Sequence, residues 1–148
     1  MNKFQFHFGD YFHDGHGLYS TVLVQSPLTY CSIREIYDKI LRDYPVLDSI
    51  GIAREYNEPI VTKEVWEVIC SFDYPAERLC EKLDDNSYEN FTMSDFALYV
   101  DTEELCFTVE AVADIWIWML NARGAMLEYT NDVYEHFFID DGYGCFMC

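Results

Sequence analysis

The stretch "VEAVADIWIWMLNAR", residues 109–123, constrains the fold more than any other part of the chain. It is apolar at 109, 112, 113, 116, 117 and 120, a helical stripe, and apolar again at 115, 118 and 119. A helix that is apolar on most of its sides has to be surrounded, so it belongs at the centre of a core. Trp116 lies on the stripe and is expected to be buried. Glu110 and Asp114 interrupt the apolar run, which is also too short for a bilayer, so the segment is not a membrane span. Gly124 supplies a helix stop.

Around this helix the remaining patterns read as mixed α and β. Phe4, Phe6 and Phe8 alternate with Gln5 and His7, the period of a half-buried strand. "LYSTVLVQ", 18–25, is β-branched and reads as its partner, ended by Pro27. Ser32 and Glu35 have capping-box spacing before "IREIYDKILRDY", whose Ile33, Ile36, Tyr37, Ile40, Leu41 and Tyr44 predict an amphipathic helix stopped at Pro45. Residues 50–56 read as a strand. Thr62 can cap "KEVWEVICSF", and Pro75 suits the first turn of "PAERLCEKL". After a polar loop at 84–91, Thr92 and Asp95 precede another helical stretch, "MSDFALYV". "MLEYT" and "VYEHFFI" read as two strands about a turn at Asn131 and Asp132. The expectation is one α+β domain over residues 1–148, with a small antiparallel sheet from N- and C-terminal strands packed on a helical middle.

Composition agrees that there is a core to build: 51% of residues are apolar and 18% aromatic, which excludes intrinsic disorder. The charge is the anomaly. Nine basic residues face 27 acidic ones, a net charge of −18. Residues 1–83 carry 13 acids and 8 bases, whereas residues 84–148 carry 14 acids and Arg123 alone. Such a surface repels phosphate backbones and anionic membranes and attracts basic partners. The start, "MNKFQFHFGD", lacks the apolar stretch of a signal peptide, and a cytoplasmic protein is expected. The six cysteines are then expected to be reduced and to pack as small hydrophobes.

Two places could carry function. "HFGDYFHDGHG", 7–17, gathers three of the four histidines with two aspartates. Imidazole and carboxylate together suit a divalent metal, with Asp10, His13, Asp14 and His16 as ligands and His7 in reserve. The spacing matches neither a zinc-binding helix nor an EF-hand. Asp14-Gly15 is a strong turn pair and Asp10 can close an Asx turn, so the same residues also read as a structural hairpin loop.

The second place is the acidic C-terminal half, where Tyr88 and Tyr99 are interleaved with Asp84, Asp85, Glu89, Asp101, Glu103 and Glu104. Carboxylates steer a basic partner and aromatics anchor it. No nucleophile elbow or phosphate-binding glycine loop is present, so an enzyme is unsupported. The terminal "CFMC" has the spacing of a redox pair or a prenylation box, but lacks the βαβ setting of the first and the flanking bases of the second.

The expected function is therefore a small, non-catalytic acidic protein without a cofactor. It would block a basic, nucleic-acid-binding surface on a partner without binding nucleic acid or membrane itself. Phage-encoded inhibitors of restriction and CRISPR systems use such nucleic-acid mimicry, an analogy of charge and size with no shared motif behind it. The alternative is a metal- or small-ligand-binding domain, a hydrolase among the options, built on the 9–17 loop.

Overall fold

The computed structural model describes residues 1–9, 19–50, 60–75, 77–79, 105–106, 109–131 and 138–139. Two strands open the chain, β1 (Asn2–Gly9) and β2 (Tyr19–Ser26), followed by helix α1 (Tyr30–Asp43) and a 3-10 helix, Pro45–Ile50. Strand β3 (Ile60–Val61), helix α2 (Lys63–Ser71), strand β4 (Leu105–Cys106) and helix α3 (Val109–Ala122) come next, then strands β5 (Glu128–Tyr129) and β6 (Phe138–Ile139). This is an α+β fold with a small sheet, as the sequence pattern predicts.

β1 and β2 form the antiparallel centre of that sheet, in register from Asn2↔Ser26 to Gly9↔Tyr19. The alternation seen in the sequence puts Phe4 and Val24 opposite each other, and both are buried. The C-terminal strands depart from expectation. They do not pair with each other: β5 lies antiparallel on the outer edge of β2, and β6 lies parallel on the outer edge of β1. The order is β5-β2-β1-β6. A hairpin of β5 with β6 would have left one edge of the β1–β2 pair open, whereas splitting them gives each edge a partner. β3 and β4 make a separate antiparallel pair, and β3 begins beyond the 50–56 stretch, of which residues 51–56 lie outside the described residues.

α1 starts earlier than its capping-box spacing suggests. Thr29, not Ser32, is the N-cap, and its hydroxyl accepts from the Ser32 amide at 3.2 Å. Tyr30 is itself buried, so the helix begins where its apolar face begins. Thr62 caps α2 by accepting from Val65 N, as its spacing predicts. The predicted helix over 92–100 lies outside the described residues; of the one beginning at Pro75, residues 77–79 are described and helical.

α3 is the hub of the core. Residues 111–117, 119 and 120 are all buried, and only Trp118 among its middle residues is half-buried. Trp116 is fully enclosed, its ring 4.7 Å from that of Tyr37 on α1 and its indole N–H donating to Ile50 O at 2.6 Å. The helix ends in a Schellman turn: Ala125 N donates to Leu120 O, Gly124 N donates to Asn121 O, and Gly124 takes φ +92°. Glycine adopts that conformation without the Cβ clash other residues suffer. Asn121 then folds the following chain back, exchanging two hydrogen bonds with Leu127 and delivering β5 to the sheet. Among the described residues no helix is long and apolar enough to cross a membrane.

Candidate functional site

A carboxylate stands in the middle of the most buried helix. Asp114 is 0% exposed. Removing an ionised carboxylate from water is expensive unless its lone pairs are filled, and here each oxygen accepts twice. Oδ2 accepts from the Tyr74 hydroxyl at 2.6 Å and Arg78 Nε at 2.7 Å. Oδ1 accepts from Arg78 Nη2 at 2.8 Å and the Tyr129 hydroxyl at 2.7 Å. The guanidinium binds in the two-pronged mode that suits a carboxylate best.

Three separate pieces of chain meet on this one side chain. Tyr74 and Arg78 come from the segment after α2, whose Phe72 O accepts from the Trp118 indole N–H at 2.8 Å. Asp114 and Trp118 are one helical turn apart, so this segment lies along the stripe of α3 that carries them. Tyr74 meets Trp118 edge-on with ring centroids 5.9 Å apart, and Arg78 lies over the same indole at 5.9 Å. Tyr129 reaches in from β5. The residue is 44% exposed, yet its hydroxyl end is sunk against Asp114.

The titration of the cluster follows from these contacts. Burial pushes the Asp114 carboxyl up, and the hydrogen bonds from Arg78, Tyr74 and Tyr129 more than offset it, leaving it below its ordinary value. Burial and donation to Asp114 push both tyrosine hydroxyls well up. The Arg78 guanidinium is held more firmly protonated by its bond to Asp114. No group in the cluster is thereby poised to exchange a proton near neutral pH, and no lone pair of Asp114 is left for a substrate. The arrangement is a clamp.

A second feature lies at the C-terminal end of α3. An open hollow of about 290 Å³ is lined by Tyr44, Ser71, Phe72, Asp73, Ala122 and Arg123. Arg123 Nη1 donates to Asp43 Oδ2 at 3.2 Å, and its guanidinium lies 5.6 Å from the centroid of the Phe72 ring. Tyr44 packs edge-on against Phe72 at 5.8 Å. Asp73 follows the Phe72 cap in a left-handed conformation, φ 58°, where glycine is more usual.

The residues singled out in the sequence fall elsewhere. Asp10, His13, Asp14 and His16 lie outside the described residues, and so do Asp84, Asp85, Tyr88, Glu89, Tyr99, Asp101, Glu103 and Glu104. The backbone of His7 is described, in β1 opposite Thr21. Among the described residues no group of three or more His, Cys, Asp or Glu side chains is arranged to hold a metal. Cys31 and Cys70 are half-buried thiols outside any disulfide, and burial raises the Cys70 thiol. Pattern reading does not find Asp114 and its three partners. The available signal is a single acid within the otherwise apolar run 111–120. No protein-family model, curated protein or solved structure matches the chain.

Proposed function

We propose that this chain is a small, non-catalytic acidic interaction protein that binds and blocks a basic surface of a partner protein, in the manner of a phage- or mobile-element-type inhibitor that mimics nucleic acid. One observation carries the reading: among the described residues of this −18 chain, exposed acids far outnumber exposed bases, and most of the arginines are already paired with carboxylates. Of the four described arginines, Arg34 pairs with Asp38, Arg78 with Asp114 and Arg123 with Asp43. Only three described bases, Lys39, Arg42 and Lys63, are exposed, against eight exposed acids that include Glu35, Asp48, Glu64, Glu67, Glu77 and Glu128. A surface so biased steers basic partners toward itself and repels nucleic acid.

The proposal is tested by measuring association with basic nucleic-acid-binding proteins while duplex DNA competes. On-rates should fall steeply as salt rises from about 50 to 500 mM, because the Debye length contracts through the distance over which surface charges attract. Changing Asp84, Asp85, Asp101, Glu103 and Glu104 to their amides should slow association, while removing Tyr88 or Tyr99 should hasten dissociation. Binding indifferent to salt, or a partner whose contact surface is acidic, would overturn the reading.

A further inference from the structure

Three helices end at the hollow beside Arg123. α1 stops at Asp43, α2 at Ser71 and α3 at Ala122, and residues at or just past those ends form its lining. Each helix brings the negative end of its macrodipole, roughly half an elementary charge, to the same place. Asp43 and Asp73 are exposed there. Phe72 supplies an aromatic floor, steadied by Tyr44 against its edge and by the Trp118 indole N–H on its carbonyl oxygen. The setting disfavours an anion and suits a planar cation.

One already stands in its wall. Arg123 lies over the Phe72 ring and beside the Asp43 carboxylate, the two contacts by which a guanidinium is recognised at an interface. Its hold is slight: a single hydrogen bond of 3.2 Å, with the Arg123 and Asp43 side chains 32% and 42% exposed. An exposed pair of this geometry contributes little, so exchanging one guanidinium for another leaves the fold intact.

We propose that this hollow is the seat of an arginine side chain from the basic partner, which takes the place of Arg123 over Phe72 and beside Asp43. The proposal rests on the acidic-interaction reading and adds to it a specific anchor point. Arginine fits better than lysine, because a flat guanidinium can stack on Phe72 while pairing with a carboxylate, and an ammonium cannot do both as well.

The two cations make opposite predictions when removed. Arg123→Gln frees the Phe72 face and the Asp43 carboxylate and should tighten binding of an oligo-arginine peptide by about two- to five-fold, the range a part-exposed stacking site supplies. At about 0.15 M salt, Lys63→Gln, which removes the same charge at the far end of α2, should change binding by less than about two-fold, since an exposed charge at that distance is then largely screened. Asp73→Asn, at an exposed site where asparagine tolerates the left-handed backbone, should weaken binding, as should Phe72→Leu. An oligo-lysine peptide should gain less from Arg123→Gln than oligo-arginine does. Titration with oligo-arginine should also move the Trp118 indole N–H resonance, since that group donates to Phe72 O, while Trp116 stays still.

Equal tightening by Arg123→Gln and Lys63→Gln, or unchanged binding in both Asp73→Asn and Phe72→Leu, overturns the hollow as the anchor. In that case the broader reading survives as long as binding remains salt-sensitive. Failure of every variant and of the wild type to bind oligo-arginine at low salt overturns both.

Discussion

Helix α3 carries one arginine–carboxylate pair near its middle and another at its C-terminal end. The middle pair joins a fully buried Asp114 to Arg78 by two bonds of 2.7 and 2.8 Å, with two tyrosine hydroxyls completing the shell. The terminal pair joins Arg123 to Asp43 by one bond of 3.2 Å between side chains that are both about a third or more exposed. The chemistry is the same and the consequences differ. Asp114 is itself buried and its four accepting positions are all filled, two of them by one guanidinium, so no outside cation can take a place on it. Asp43 is exposed and held by a single bond, so at the end of the helix water or another cation can replace Arg123.

The largest test of this contrast is Arg78→Leu. It leaves a buried carboxylate without its cation and should cost about 3–5 kcal/mol in unfolding free energy, read from denaturant melts. Trp116→Ala should cost a similar amount, about 3–5 kcal/mol, through a cavity with no charge in it. The two deficits separate with pH. Trp116→Ala should show the same loss at every pH. The Arg78→Leu deficit should shrink in acid, because protonating Asp114 removes the unpaired charge. A pH-independent Arg78→Leu deficit would mean that the loss comes from packing and not from the unpaired charge on Asp114.

The pH dependence of the wild type comes next. The Asp114 carboxyl is depressed in the folded state. Its stabilisation is therefore present above the ordinary carboxylate pKa of about 3.9 and is lost as pH falls through the lower folded value. Tyr74 and Tyr129 are raised in the folded state. Their stabilisation is present below the ordinary tyrosine value of about 10 and is lost as pH rises through the folded values. Melting profiles should be flat in this contribution from about pH 5 to 9 and fall on both sides. Asp114→Asn should flatten the acid limb, and retention of the full limb would assign it to other carboxylates.

Tyr129→Phe is milder. It takes one donor from Asp114 while the other three stay, and the exposed edge of the site can admit water in its place. A loss of about 1 kcal/mol is expected. Because Tyr129 stands in β5 against Val24, faster amide exchange at the β2–β5 edge should accompany it.

How much of this can be read from the chain follows the same division between local and distant causes. The apolar stripe of α3, the face of α1 and the Phe4 alternation are local patterns, and each appears where the residues place it. The start of α1 is ambiguous in the sequence because Thr29 and Ser32 are both able caps, and burial of Tyr30 decides between them. The C-terminal strands are recognisable as strands, but their neighbours are not. Pairing depends on the edges of a hairpin more than a hundred residues upstream. Asp114 is visible as an interruption, and its meaning lies in Tyr74 and Arg78, 40 and 36 residues away. A single sequence carries no record of such distances.

The smallest expected effect is the one most diagnostic of the open end of α3. Arg123→Gln, Asp43→Asn and the double variant form a thermodynamic cycle whose coupling term isolates the pair. For exposed side chains in a single 3.2 Å contact, the coupling should be about 0.2–1 kcal/mol and should fade as salt is raised. Arg123→Gln by itself should cost somewhat more than the coupling, because it also removes a guanidinium lying over Phe72, a contact worth about 0.5–1 kcal/mol at such a site, while leaving the Schellman turn of α3 untouched. A coupling above about 2 kcal/mol would exceed what exposed pairs supply. It would make the two ends of the comparison alike, with Arg123 held no less firmly than Arg78 and the hollow closed to any outside cation.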